Sequence, residues 1–114
     1  MEIIVKKDNG YLKINEKYII EDIKNSVELV PGVISIGKNS LIKEIKRKLN
    51  LRPDSIQIYP IVQNEIGIFV SVYIEKEMNF HRISEQIQDI IRYNLKEKYG
   101  IKVNFIDVFV EGTK

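Results

Sequence analysis

The stretch Ile66-Gly67-Ile68-Phe69-Val70-Ser71-Val72-Tyr73-Ile74 decides the fold of this chain. Its even-numbered positions are all aliphatic, which is the period-two alternation of a β-strand with one face in a hydrophobic core. Its odd-numbered positions include two large aromatic side chains, Phe69 and Tyr73. A strand that is apolar on both faces is typical of a sheet that is covered on both sides. The sequence therefore predicts a second sheet face that packs against a helix of this chain or against another protein.

Further extended segments flank this strand. Residues 63–65 predict a hairpin turn directly before it, and the last apolar alternation of the chain predicts a strand near the C-terminus. The predicted strands cover residues 10–15, 33–37, 55–62, 66–75 and 101–110.

Capping residues delimit the predicted helices. Asn15 is a suitable N-cap for a helix that carries apolar residues at helical spacing and stops at Pro31. Asn79 caps a long helix that ends at Gly100, a residue suited to the left-handed C-cap conformation. A shorter helix is predicted over residues 40–49. Two long amphipathic helices must cover a sheet, so the expected fold is a single α+β domain over residues 1–114. It is a two-layer sandwich with a mixed sheet of four or five strands and one short basic helix.

Composition limits the classes of function. The chain has 114 residues and no cysteine, which excludes a disulfide framework, a thiolate nucleophile and a cysteine-ligated zinc. The net charge of +2 is too small to indicate nucleic acid or an anionic membrane as a partner. No apolar run approaches the roughly 18 residues of a membrane span, and the N-terminus lacks the pattern of a secretory signal. We therefore expect a cytoplasmic protein.

Several short motifs follow one another over about residues 9–112. A glycine and a strand precede an apolar helix, a proline-glycine turn ends that helix, a strand precedes a second long helix, and a glycine-flanked strand closes the chain. They are Asn9-Gly10-Tyr11-Leu12-Lys13-Ile14, Val27-Glu28-Leu29-Val30-Pro31-Gly32-Val33, Val70-Ser71-Val72-Tyr73-Ile74 with Ile83-Ser84-Glu85-Gln86-Ile87-Gln88, Tyr99-Gly100-Ile101-Lys102-Val103, and Ile106-Asp107-Val108-Phe109-Val110-Glu111-Gly112. In order and spacing the chain resembles the bacterial alkaline-shock, or envelope-stress-response, protein family. Two departures are the absence of alanine in the first helix and Met78-Asn79-Phe80 in place of a tyrosine-glycine before the long helix.

The resemblance implies a cytoplasmic protein of Gram-positive-type bacteria that acts in cell-envelope homeostasis. Members of such a family self-associate, and some lie at the membrane through a small membrane-protein partner. The family carries no catalytic residue. Its region corresponding to residues 38–52 varies, so those residues inherit no role.

The side chains themselves offer no catalytic constellation. The single histidine, His81, has Glu77 and Glu85 four residues away on either side. Two carboxylates and an imidazole can bind a metal, but Glu77 precedes the helix that carries the other two residues. We expect a solvated histidine, no metal, no cofactor and no enzymatic activity.

Two surfaces are candidates for partner binding. Lys43, Lys46 and Arg47 share one side of the predicted 40–49 helix, where they face solvent, anionic lipid, an acidic protein or phosphates. The second surface is the odd-numbered face of the sheet. Its candidate residues are Phe69, Tyr73, Phe105 and Phe109.

The leading prediction is a scaffold or adaptor that binds proteins and itself. The alternatives are an RNA-binding module with a ferredoxin-like or KH-like sheet, and a regulatory partner of a lipid-metabolism enzyme. RNA-recognition sheets stack bases on exposed aromatics, but their central motif also needs a basic residue and a glycine that residues 65–72 do not supply in that pattern. Nucleic acid is therefore the less favoured partner.

Overall fold

A mixed four-stranded sheet with one central strand organises the molecule. The computed structural model describes residues 2–34 and 55–113, with side chains up to Val110. Six strands and two helices lie in these ranges. In chain order they are β1 (Glu2–Lys7), β2 (Gly10–Asn15), α1 (Glu16–Glu28), β3 (Val33–Ile34), β4 (Ile56–Val62), β5 (Glu65–Ile74), α2 (Phe80–Tyr99) and β6 (Lys102–Thr113).

Strand β5 is central because both of its edges are paired. One edge pairs with β6 in parallel along the whole of β5, from Glu65 to Ile74. The other edge pairs antiparallel with β4 over Glu65 to Val70 and then with β3 over Tyr73 and Ile74. Helix α2 makes the crossover between the parallel strands β5 and β6, the connection that a parallel pair requires.

Both helices begin where the sequence predicts, and α2 also ends there, whereas α1 ends at Glu28, before the expected stop at Pro31. The Asn15 side chain accepts a hydrogen bond from the Lys17 N–H at 3.0 Å, and the Asn79 side chain accepts one from the Arg82 N–H at 3.1 Å. Each bond satisfies one of the N–H groups that a helix start leaves unpaired. Gly100 ends α2 with a φ of 72°, a left-handed backbone conformation that residues other than glycine rarely adopt.

The core lies between the helices and the even-numbered face of the sheet, as expected. Ile68, Val70 and Val72 of β5 are fully buried, as are Ile87 and Ile91 of α2. Strand β6 contains a bulge at Asn104, which has no partner on β5 between Val103 and Phe105. The bulge turns both Val103 and Ile106 toward the core, where each is buried.

The β1–β2 hairpin is the element that sequence reasoning missed in part. The sequence predicts that residues 10–15 are extended, and they form β2. It does not predict the strand β1 over residues 2–7. Its Lys6 exchanges two hydrogen bonds with the Asn64 side chain, Lys6 N–H to Oδ1 at 2.7 Å and Nδ2 to the Lys6 carbonyl at 3.2 Å. Lys7 Nζ also donates to the Tyr99 carbonyl at 2.6 Å. The hairpin is thus held by the β4–β5 turn and the end of α2, partners distant in sequence.

The predicted fold class is confirmed as a mixed α+β fold with a four-stranded sheet and two long helices. Strand β6 extends to Thr113, three residues beyond the prediction. The predicted strand at 33–37 is observed at Val33–Ile34, and its remainder lies outside the described residues. The predicted basic helix over residues 40–49 also lies outside them.

Candidate protein-binding surface

An aromatic surface covers the sheet face that points away from the helices. We define it by the side chains Tyr59, Ile61, Phe69, Tyr73, Phe105 and Phe109. Phe109 is 54% exposed, Tyr59 45% and Phe105 39%, whereas Phe69 and Tyr73 are half-buried. Exposed apolar patches of this kind mark interaction sites more often than isolated apolar residues do.

The first aromatic pair depends on a glycine between its two members. Tyr59, Gly67 and Phe105 lie side by side across the strands β4, β5 and β6. A Cβ atom at Gly67 would lie 2.1 Å from Cζ of Phe105, so only glycine leaves room for the ring. The Phe105 ring therefore lies over the Gly67 backbone and stacks with Tyr59 at a centroid distance of 6.3 Å. The Tyr59 hydroxyl donates a hydrogen bond to Gln57 Oε1.

The second aromatic pair lies further along the same face. Phe69 of β5 stacks with Phe109 of β6 at a centroid distance of 6.3 Å and an interplanar angle of 29°. The residue directly opposite Phe109 on β5 is Ser71, which is small and buried. Stacked pairs contribute about 0.5–1.5 kcal/mol beyond their buried area, so each ring restrains its neighbour. Restraint of this kind before binding lowers the entropy cost of binding.

The charges on this face favour protein over nucleic acid. Glu65 and Asp107 belong to the same face by strand register. Lys102 lies beside Glu65, with 3.8 Å between Nζ and Oε1, so its charge is compensated. A surface that binds single-stranded RNA combines aromatics with a groove of uncompensated cations. The described part of this face has the aromatics without those cations.

The structure brings together the four aromatic residues predicted from the sequence. Phe69, Tyr73, Phe105 and Phe109 share one face, as their strand phases predict. Tyr59 lies on the same face, and its stacking on Phe105 follows from the hairpin register and could not be predicted without it. The three basic candidates Lys43, Lys46 and Arg47 lie outside the described residues, and their role stays a prediction.

No metal centre is evident in the described residues. His81 Nε2 lies 3.3 Å from Glu85 Oε1, and the two side chains are 84% and 65% exposed. Within residues 2–34 and 55–113, no group of three histidine, aspartate or glutamate side chains is placed to hold an ion. The pair is therefore an exposed contact between neighbours one helical turn apart.

A polar cluster joins the two helices on the other side of the molecule. Asp22 of α1 accepts hydrogen bonds from the Tyr99 hydroxyl and from Lys98 Nζ, the latter at 3.0 Å. Asn94 Nδ2 donates to Ser26 Oγ at 2.6 Å. Burial, and then the hydrogen bond to Asp22, raise the pKa of Tyr99 above its usual value. The hydrogen bond to Asp22 likewise raises the pKa of Lys98. Because these groups satisfy one another, the cluster fixes the α1–α2 contact.

Removing the Tyr99 hydroxyl is expected to weaken this contact. Tyr99→Phe should lower the free energy of unfolding at pH 7 by about 1.5–3 kcal/mol, the usual contribution of a hydrogen bond to a charged acceptor. The raised pKa of Tyr99 adds stability that is complete below pH 10.0 and is lost as the pH rises through that pKa. Urea unfolding between pH 8 and about 11 should therefore show a smaller alkaline loss in Tyr99→Phe than in the wild type. Tyr93→Phe, at an exposed tyrosine of the same helix, is the control; equal alkaline losses in all three proteins would contradict the assignment.

Two helices, α1 and α2, lie in the described part of the chain. Neither α1 nor α2 combines the length and the hydropathy that crossing a bilayer requires.

Comparisons with known proteins identify structures of similar fold but do not assign the chain to a family. No family model matches the chain. The uncharacterized protein Spy1614 of Streptococcus pyogenes serotype M6 is 21% identical over 116 residues, covering 100% of this chain and 96% of that protein. Among solved structures, the copper form of one MamM CTD variant has a TM-score of 0.59 at 14% identity. It covers 88% of this chain and 100% of the MamM CTD chain. The cadmium form of another variant gives the same values. At this identity the likeness shows that the chain shares the fold of the MamM CTD.

Proposed function

We propose that this protein is a non-enzymatic scaffold or adaptor that binds other proteins, and a second copy of itself, through the aromatic surface. The observation that carries the proposal is the pair of stacked, partly exposed aromatic contacts on the sheet face opposite the helices. Aromatic residues are enriched in the cores of protein interfaces, where they bury large areas at a low cost in side-chain entropy. Backbone and glycine geometry hold these rings in place before a partner arrives.

The alkaline-shock resemblance supplies the cellular setting of the proposal. It supports a cytoplasmic protein in envelope homeostasis, brought close to the membrane by a small membrane-protein partner. A lipid-metabolism enzyme as the regulated partner is the alternative setting, and identification of the bound protein separates the two.

The proposal includes the absence of catalysis and of a resident metal. Solved structures of the MamM CTD include copper, nickel and cadmium forms. The fold likeness does not transfer a metal site, and His81 with Glu85 supplies only two donor side chains in the described residues. Untagged protein should contain no stoichiometric transition metal by elemental analysis after dialysis. One equivalent of zinc, copper or nickel retained through dialysis would overturn this part of the proposal.

Site-specific photocrosslinking in cells tests the function directly. A photoreactive phenylalanine analogue replaces Tyr59 on the aromatic surface, and the matched control carries it at Tyr93, 66% exposed on α2. We expect discrete protein adducts from position 59 that are absent from position 93, and mass spectrometry identifies the partner. Adducts removed by ribonuclease would establish RNA binding instead. Equal adducts from both positions would mean that the aromatic surface has no special role.

A further inference from the structure

An exposed carboxylate lies among the rings of the aromatic surface. Asp107 of β6 is exposed, and it shares a strand face with Phe105 and Phe109, two residues before and after it. Its partner across the strand pair is Phe69 of β5. Residues two apart along a strand lie about 6–7 Å apart, and neighbouring strands lie about 4.8 Å apart. Asp107 therefore has an aromatic neighbour in three directions. Within the described strands its fourth side is open, because β6 pairs only with β5.

The charge of Asp107 is uncompensated in the described part of the chain. Over residues 2–34 and 55–113, its side chain forms no ion pair. The nearby Glu65 differs, since its Oε1 lies 3.8 Å from Nζ of Lys102. The aromatic surface thus retains the negative charge of Asp107, although the net charge of the whole chain is +2.

A protein that covers these rings also removes water from the carboxylate between them. Burying a charge without an opposite charge beside it is strongly unfavourable, so interfaces place complementary charges against each other. A partner that contacts Phe69, Phe105 and Phe109 together is therefore favoured if it brings a cation to Asp107. A nucleic-acid backbone would instead bring phosphates, whose charge Asp107 repels.

We propose that the aromatic surface recognises an arginine side chain of another protein, which pairs with Asp107 and stacks on the neighbouring rings. This inference rests on the proposed function and specifies the chemistry of the partner. A guanidinium suits both contacts, because it is planar, donates two parallel N–H groups to a carboxylate and stacks on aromatic faces within about 6 Å. Phe109 is 54% exposed and Phe105 39%, so both rings are accessible to it.

The described residues of a second copy do not supply this arginine through the same surface. The cation beside the surface is Lys102, whose charge Glu65 compensates. The described arginines, Arg82 and Arg92, belong to α2, which packs on the opposite face of the sheet. The inference therefore concerns the binding of other proteins and not self-association.

Two blocked tripeptides test this recognition on the purified protein. One has arginine between two leucines, and the other has citrulline, the uncharged isostere of arginine, in its place. In NMR titrations the arginine peptide should shift the amides of Phe105 and Phe109. It should also bind at least about fivefold more tightly than the citrulline peptide, as an exposed cation–π contact and an exposed ion pair together imply.

Two aspartate variants show whether Asp107 is the source of the preference. Both substituted positions are exposed, so the variants should fold like the wild type. Asp107→Asn should abolish the preference for the arginine peptide, whereas Asp89→Asn, on α2, should retain it. The inference is overturned if the wild type binds the two peptides equally, if it binds neither, or if the preference survives Asp107→Asn.

Photocrosslinking in cells separates this inference from the proposed function. With the photoreactive analogue at Tyr59, Asp107→Lys should reduce the yield of protein adducts at least about tenfold, because like charges then meet in the contact. Asp89→Lys should leave the yield unchanged. A yield that Asp107→Lys does not alter would refute arginine recognition and leave the proposed function standing. Absence of adducts in the otherwise wild-type protein, combined with a preference for the arginine peptide, would refute the proposed function alone.

Discussion

Phe109→Ser is expected to convert a wild-type dimer into a monomer at micromolar concentration. Phe109 is the most exposed ring of the aromatic surface, and its loss removes a large apolar contact from the proposed interface. Central aromatic residues of interfaces cost about 2–4 kcal/mol when truncated, which is roughly 30- to 1000-fold in a dissociation constant. Phe69→Ser should act in the same direction with a smaller effect, because Phe69 supports Phe109 by stacking on it at 6.3 Å.

Sedimentation velocity over a concentration series measures this effect. Tyr93→Ser is the matched control, since it removes an exposed aromatic ring from α2 on the other side of the sheet. Circular dichroism confirms that each variant is folded. A wild-type monomer at high concentration would contradict self-association and favour the competing expectation, in which the 40–49 segment covers the aromatic surface of its own chain. A dimer that survives both substitutions would place the interface elsewhere, with the exposed sides of the helices as the next candidate.

The parts of this molecule that sequence predicts are those fixed by local rules. The N-caps depend on the side chains of Asn15 and Asn79, and the C-cap of α2 depends on the backbone freedom of Gly100. The sequence therefore predicts the start of both helices and the end of α2. The alternation in residues 66–74 likewise assigns each side chain of β5 to a face. That assignment alone places Phe69 and Tyr73 together.

The parts that sequence does not predict depend on register and on distant partners. The stacking of Tyr59 on Phe105 requires that both lie beside Gly67, and the Asn104 bulge sets that alignment. Strand β1 is short, and its position depends on the Asn64 side chain and on the carbonyl of Tyr99, residues 58 and 92 positions away from their partners. The helix contact made by Asp22 and Tyr99 is also invisible in sequence, since the two residues lie 77 positions apart and nothing in the local pattern of either one indicates the other. Such long-range pairings have no local signature.

Ile68→Ala is expected to lower the free energy of unfolding by about 2–5 kcal/mol, while the adjacent Phe69→Ser affects mainly association. Ile68 is 0% exposed in the core between the sheet and the helices, whereas Phe69 is half-buried on the opposite face. Truncating a fully buried aliphatic side chain loses its transfer free energy and leaves a cavity in a close-packed interior. A protein of this size has a total stability of about 5–15 kcal/mol, so the loss is a large fraction of it.

Urea unfolding below the dimer dissociation constant separates the two effects, because folding is then measured without the contribution of association. Ile68→Val is the conservative control and should cost only about 0.5–1.5 kcal/mol, by analogy with other single-methylene deletions. Phe69→Ser should cost roughly 1 kcal/mol in the monomer, since its ring is already partly in solvent. If Phe69→Ser instead destabilises the monomer as much as Ile68→Ala, the aromatic surface is a second core of the folded monomer, and its proposed role in binding fails.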